Sequence, residues 1–387
     1  LEKDAIRIKK EWGEQKNAIL ELENLIKEGD KTHIKKQNLK IAKLQSKNNY
    51  ISLNVTKEQI AEVISSWTGI PLGNIVKEQV KNMLNLNTLV QQRIIGQNDA
   101  IAYMTQFLRI STAGLKRENS PLGVFLLVGP SGVGKTETAL SVADIIFGGE
   151  RFITTINMTE FQEKHSISRL IGSPPGYVGY GDGGQLTDPV RVKPYSVVLL
   201  DEIEKAHPDI LNIFYQLFDK GILSDGEGKE INFRNTIIIM TSNLATPEIE
   251  ELYSQNKNIT MDEVKTAIMP VLSSYLQPAL LGRMNIIPYA HLKYDDLKEI
   301  TKLKLQFVAE QLAKKDIQFS FDEELLEYIF AQSNTFETGA RNIELIINTK
   351  IMPELSKILL EYTLNEKKIT FIRLLIDKNN KLLIQCK

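Results

Sequence analysis

Apolar side chains in the first fifty residues recur at helical intervals. Ile8, Trp12, Ile19, Leu22 and Ile26 form one seam, with Gln15 filling a slot. That heptad-like spacing predicts a helix with a narrow packing stripe. Gly29-Asp30 can turn the chain, and Ile34, Ile41 and Leu44 continue the seam on a second helix. Residues 1–50 therefore read as a helical hairpin, either simply solvated or the end of a longer coiled-coil arm. Thr56 followed by Gln59 has the form of a capping box, Ile60, Val63, Ile64 and Trp67 then fall at helical spacing, and Gly69-Ile70-Pro71 closes the run. Residues 51–90 are expected to be a linker helix packed on the domain C-terminal to it.

From Val124 to Asn243 the pattern changes. Short continuous apolar runs recur at Val124–Val128, Phe152–Ile156, Val197–Leu200 and Thr236–Met240, separated by amphipathic stretches. Continuous runs imply strands buried on both faces, and their alternation with helices implies a parallel α/β sheet. After Pro288 helical patterns at 295–313, 322–332 and 340–363 mix with strand-like pieces at 316–321, 369–376 and 381–385. The expected architecture is a large α/β domain over 91–288 and a small α+β domain over 289–387.

Composition narrows the class. The chain has 387 residues, 42% hydrophobic and 25% charged, which is the balance of a globular protein. Lys+Arg 47 against Asp+Glu 48 leaves a formal charge of −1, so there is no basic excess to support a nucleic-acid partner. The one cysteine, Cys386, excludes an intrachain disulfide and fits a reducing compartment, the cytoplasm. No apolar run approaches the roughly 20 residues of a membrane helix. Leu1 is not an initiator Met, and the expectation is a piece of a longer protein.

The candidate chemistry begins at Gly129-Pro130-Ser131-Gly132-Val133-Gly134-Lys135-Thr136, a full G-x-x-x-x-G-K-[ST] between the strand Val124–Val128 and a helix over 137–147. The glycines let backbone N–H groups turn inward around phosphates, and the helix N-terminus adds positive partial charge. Lys135 is placed to reach the β- and γ-phosphates of ATP, or the β-phosphate of ADP, and the Thr136 hydroxyl to bind Mg²⁺. Val197–Leu200 then delivers Asp201 and Glu202 at a strand end, where α/β sheets bind ligands. Asp201 suits the metal's water shell, and Glu202 suits orienting the attacking water. Asn243, after the strand Thr236–Met240, either bridges water and γ-phosphate or caps a turn.

These motifs in this order resemble the AAA+ superfamily, and among it the second motor module of Clp-type unfoldases, from about residue 51 onward. The resemblance implies that Arg93-Ile94-Ile95-Gly96-Gln97 covers the adenine through Ile94 and Ile95, and that Asn243 is sensor 1. It further implies that Arg283 of Gly282-Arg283 is an arginine finger reaching a neighbouring subunit, and that Arg341 of Gly339-Ala340-Arg341 is sensor 2.

Gly172-Ser173-Pro174-Pro175-Gly176-Tyr177-Val178-Gly179-Tyr180 must be a loop, because its prolines and glycines forbid a helix or a central strand. Its aromatics either fold back onto the core or, as the resemblance implies, grip substrate. In similar unfoldases the first tyrosine lines a pore, with Val178 and Tyr180 beside it here. Asp225-Gly226-Glu227-Gly228 reads as a hairpin turn. The resemblance implies a homo-oligomeric ring, a hexamer, acting on protein.

Phe218-Asp219-Lys220-Gly221, Asp225-Gly226-Glu227-Gly228, Pro278–Met284 and Ile351–Ser356 are most similar to the ClpV family, which disassembles contracted type VI secretion sheaths. The ClpB disaggregase family is the alternative, and a nucleic-acid-directed motor on the same fold is the alternative of another class. Residues 244–275 lack the Ile/Leu/Val-Gly-Phe/Leu tripeptide of protease-coupled relatives, so no protease partner is expected.

Overall fold

The computed structural model describes residues 2–29, 31–45, 50–51, 55, 57–68, 73–117, 119–177, 180–256, 259–332, 339–364, 369–377 and 381–386. The chain divides into two compact units, Leu1–Trp67 and Thr68–Lys387.

In the first unit, helices Glu2–Glu28 and Lys31–Leu44 pack through Ala18, Ile19, Leu22 and Ile41. Two glutamines close this small core. Gln15 Nε2 donates to the Leu44 carbonyl at 3.2 Å, and Gln37 Nε2 donates to the Ala18 carbonyl at 2.9 Å. The predicted seam is buried only in its middle, since Ile8, Trp12 and Ile26 are exposed. The expected linker region holds two helices, Lys57–Thr68 and Gly73–Gln91, which fall in different units. The capping residue Thr56 and the Gly69-Ile70-Pro71 stop lie outside the described residues.

The second unit is built on a five-stranded parallel sheet. Its strands are β1 (Gly123–Val128), β2 (Ile153–Asn157), β3 (Val197–Asp201), β6 (Ile237–Ser242) and β7 (Asn285–Pro288), in the order β2-β3-β6-β1-β7. A hairpin, β4 (Ile222–Ser224) with β5 (Glu230–Asn232), stands outside it. The continuous apolar runs are explained by burial on both faces. Phe125, Leu127, Val197, Leu199, Ile237 and Ile239 enter one core, while Val124, Leu126, Val198, Leu200, Ile238 and Met240 enter the other. β7 is an edge strand, where the missing N–H of Pro288 breaks no ladder bond.

Register lines up the strand ends. Val128 pairs with Ser242 and with Pro288, and Asn157 pairs with Asp201. The residues just beyond these strands therefore meet at one edge, the carboxyl edge where α/β folds hold ligands.

From Tyr294 onward the described elements include helices Tyr294–Ala313, Glu323–Gln332, Ala340–Ile346 and Met352–Leu364, with a mixed sheet of β8 (Gln318–Phe321), β9 (Phe371–Ile376) and β10 (Leu382–Cys386). The single helix expected over 340–363 is interrupted by a π-turn at Ile347–Ile351. Pro353 has no N–H to return to the preceding turn, which accounts for the wider winding just before it. Leu297, Leu305, Ile343, Ile346 and Leu374 of this part share one core with the Phe125 face of the large sheet.

Candidate nucleotide-binding site

The loop after β1 is shaped by glycines in backbone regions that other residues rarely adopt. Gly129 (φ 153), Gly132 (φ 74) and Gly134 (φ 101) turn the chain back into helix Lys135–Phe147. A side chain at Gly129 would stand 2.5 Å from the Tyr289 carbonyl, so the sheet edge itself enforces glycine there. Tyr289 is fully buried, and its hydroxyl donates to Thr138 Oγ1 at 3.0 Å, pinning the first turn of the helix from below. Pro130 and Val133 are buried, while Ser131, Gly132, Gly134 and Thr136 are half-buried at the loop surface.

Lys135 is buried inside this turn. Its Nζ donates to the carbonyls of Gly129 and Pro130 (2.8 Å to the latter) and to Asn243 Oδ1 at 2.9 Å. Burial pushes the ammonium down from 10.5 to about 8, with Glu204, Asp201 and Glu202 pulling it back up and Arg341 adding to the depression. A cation this buried, partnered by neutral oxygens, is poised for an anion.

Opposite the loop, Thr241 ties the Asp201 carboxylate to the backbone of Glu202. Its hydroxyl donates to Asp201 Oδ1 and accepts the Glu202 backbone N–H at 3.1 Å. Glu202 adopts a left-handed backbone (φ 55, ψ 54), an uncommon conformation for a residue with a side chain and one found at functional sites. Glu204 Oε1 accepts the Asn243 N–H at 3.2 Å. The turn after β6 is capped by Ser242, whose hydroxyl accepts the Leu244 N–H at 3.1 Å. Asn243 instead turns its amide oxygen to Lys135.

Two segments cover the loop. On one side Ile94 is buried and Ile95 half-buried, with an Ile94 methyl 3.5 Å from where a Gly134 side chain would begin. Gln97 fastens this segment, donating from Nε2 to Ala290 O at 2.8 Å and to Val133 O at 3.4 Å, and accepting the Ala290 N–H at 3.1 Å. Arg93 pairs with Glu137, Asp144 and Glu150 of the adjacent helix and turn. On the other side the Ala340 N–H donates to Gly132 O at 3.1 Å and Arg341 Nη1 to Ser131 Oγ at 3.1 Å. The structure thus gathers Ile94, Ile95, residues 129–136, Asp201, Glu202, Asn243 and Arg341 at one edge.

Arg283 and the tyrosines stand apart from that group. Arg283 donates from Nε and Nη2 to the two oxygens of Asp219, at 2.8 Å each. Tyr177 and Tyr180 are 71% and 54% exposed, so neither ring folds onto the core. Val178 lies outside the described residues. The loop has a closed base: Gly172 bridges Gly183, and the Gly226 N–H of the β4–β5 turn donates to Ile171 O at 2.9 Å. That turn forms as expected, with Asp225 Oδ1 accepting the N–H groups of Glu227 and Lys229.

The roles of Glu204, Thr241 and Gln97 do not emerge from the sequence. Thr241 and Glu204 carry a faint signal, a polar residue at a strand end and a third acid behind Asp201-Glu202. The fastening role of Gln97 carries none, because its partners come from remote segments.

The carboxyl edge of a parallel sheet, a glycine cradle and a buried lysine define a phosphate-loop nucleotide-binding domain. A family model described as "AAA domain (Cdc48 subfamily)" matches residues 120–287, and one described as "C-terminal, D2-small domain, of ClpB protein" matches residues 292–372. The chain is 42% identical over 336 residues to the AAA+ ATPase ClpV1 of Pseudomonas aeruginosa, covering 86% of this chain and 37% of that protein. It is 41% identical over 312 residues to the chaperone protein ClpB of Yersinia enterocolitica, covering 80% and 35%. The chain belongs to the Clp-type AAA+ ATPases and corresponds to their C-terminal module. It spans little more than a third of the length of these two relatives.

Proposed function

We propose that this module hydrolyses Mg·ATP within a hexameric ring and uses the stroke to draw polypeptide through a central pore in the cytoplasm. The observation that carries the threading part is the Tyr177 loop. An exposed aromatic ring sits on a closed glycine base and contributes nothing to the phosphate cradle. A flat ring makes sequence-tolerant contacts with any backbone, which suits a grip on many successive residues.

The site fits a nucleotide on its own geometry, through the turned glycine cradle and the buried Lys135 ammonium. Lys135 would hold the β- and γ-phosphates, Ile94 and Ile95 the base, and Arg341, bonded to Ser131 of the cradle, the phosphates from the small domain. Among the described residues no three His, Cys, Asp or Glu side chains converge as a metal site. Magnesium would accordingly be held by Thr136 and Asp201 together with phosphate oxygens and water, the usual arrangement for this ion. When bound, the metal neutralises developing charge on the phosphates. Glu202, its backbone fixed by Thr241, would orient the attacking water, with Asn243 steadying it. We read the chain as an upstream hairpin over 1–50, a linker over 51–90, and large and small motor domains over 91–288 and 289–387.

The substrate we favour is contracted type VI secretion sheath, supported by the ClpV-like segments around Asp219, Arg283 and Met352. The second reading, a ClpB-like disaggregase, is supported by the small-domain match. The intact protein, given sheath tubules and heat-aggregated protein in parallel with ATP, should shorten the tubules and leave the aggregates. Aggregate recovery with partner chaperones and untouched tubules would transfer the substrate to the second reading.

A further inference from the structure

Arg283 is held against its own subunit's surface by contacts that together fix one orientation. Helix Ile213–Lys220 buries Phe214, Leu217 and Phe218, and Tyr215 and Asp219, four residues apart, lie along its flank, with Tyr215 partly buried against the same core. The short helix Pro278–Leu281 delivers Arg283 over that flank. The Asp219 carboxylate takes the Nε and Nη2 hydrogens as a two-pronged fork, 2.8 Å on each prong. Nη1 donates to the Ala279 carbonyl at 2.6 Å. The guanidinium carbon lies 5.4 Å from the centre of the Tyr215 ring, whose hydroxyl donates to Gln277 Oε1 at 2.7 Å.

A guanidinium carries five N–H groups in a rigid plane, and these three bonds leave two to project outward. We propose that Asp219 is a positioning residue which, with Tyr215, fixes the plane and direction of the Arg283 guanidinium, so that its two remaining N–H groups are presented to the phosphates bound by a neighbouring subunit. This rests on reading Arg283 as a finger acting across the subunit boundary.

An exposed ion pair adds little to stability, so a stabilising role alone gives no reason for a fork, a ring and a carbonyl on one side chain. Preorganisation does give one. A long side chain aimed before the partner arrives loses no rotamer freedom at the transition state, and misplacement by about 1 Å can cost about 10²-fold in rate. The Arg283 guanidinium beside it holds the Asp219 carboxyl below the usual carboxylate range, so the fork persists at neutral pH.

The test is kcat and KM for ATP in the assembled intact protein carrying Asp219→Ala, Asp219→Asn, Arg283→Ala, or Asp219→Ala with Arg283→Ala, with ring assembly followed by sedimentation. Asp219→Ala should lower kcat about ten- to hundredfold with KM within about threefold of wild type. Asp219→Asn, which keeps one acceptor, should fall between. The double variant should be no slower than Arg283→Ala. Wild-type kcat in both assembled Asp219 variants, or an equal further loss when Asp219→Ala is added to Arg283→Ala, overturns the proposal. Wild-type kcat in Arg283→Ala is a different failure, that of the finger reading itself.

Discussion

Lys135 and Asn243, 108 positions apart, are joined side chain to side chain, the lysine Nζ donating to Asn243 Oδ1 at 2.9 Å. One residue opens the helix after β1 and the other lies just past β6. Their meeting depends on the register that sets Val128 beside Ser242. On the proposed function, phosphate oxygens entering the cradle would compete for the same ammonium, so this bond would link occupancy to the loop after β6.

If Lys135 holds phosphate as proposed, its depressed ammonium should make nucleotide affinity pH-dependent. Its pKa of about 8 lies below the ordinary 10.5, and bound phosphate favours the charged form. Below pH 8 the amine is already charged and affinity should be flat. Above it, binding must take up a proton, and affinity should fall by up to about tenfold per pH unit. Calorimetry in buffers of different ionisation heat would register that uptake, and Lys135→Met should abolish it. A flat wild-type profile across the alkaline range would contradict the assignment.

Binding and turnover should separate by residue. Lys135→Ala should weaken ATP binding tenfold or more, about 1.4 kcal/mol at least. Glu202→Gln should bind ATP as wild type does while kcat falls about 10²–10⁴-fold, the usual worth of general acid–base or water-orienting groups. Equal nucleotide affinity in wild type and Lys135→Ala would remove the lysine from the site.

The contact between the small domain and the phosphate loop can be tested with two glycines. Gly339 has φ 55, and a side chain there would meet Gly132 O at 2.8 Å; Gly148 has φ 81 but open space around it. Both alanine variants should lose about 1–3 kcal/mol of stability through backbone strain. Only Gly339→Ala should also weaken ATP binding, because only it pushes on the cradle. Titration with a fluorescent ATP analogue beside thermal melts separates the two effects. Unchanged affinity in Gly339→Ala would mean that the cradle tolerates the displacement.

Much of the fold and site is legible in the sequence, for physical reasons that differ by region. Strands buried on both faces are written as unbroken apolar runs, so β1, β3 and β6 are visible to within two residues at their ends. β7 is not, because only Ile286 and Ile287 are apolar in an edge strand bounded by Asn285 and Pro288. The phosphate loop and Asp201-Glu202 are local in sequence and can be read directly. The Asp219–Arg283 fork spans 64 positions, and the Gln97–Ala290 pair spans 193, so no local pattern encodes either. The sequence also leaves open where Tyr177 points, since a ring on a glycine loop can turn inward or outward. The structure turns it outward.

That outward ring carries the central claim, that hydrolysis is spent on pulling polypeptide. Tyr177 makes no contribution to the phosphate cradle, so Tyr177→Ala in the intact protein should leave ATP binding and basal turnover within about threefold of wild type, under about 1 kcal/mol. The decisive measurement is the rate of ATP-driven sheath disassembly, or of unfolding of a tagged model substrate, taken with phosphate release in the same sample. The account predicts near-normal phosphate release with mechanical work reduced to background. Wild-type work by Tyr177→Ala rings at wild-type ATP turnover would contradict it.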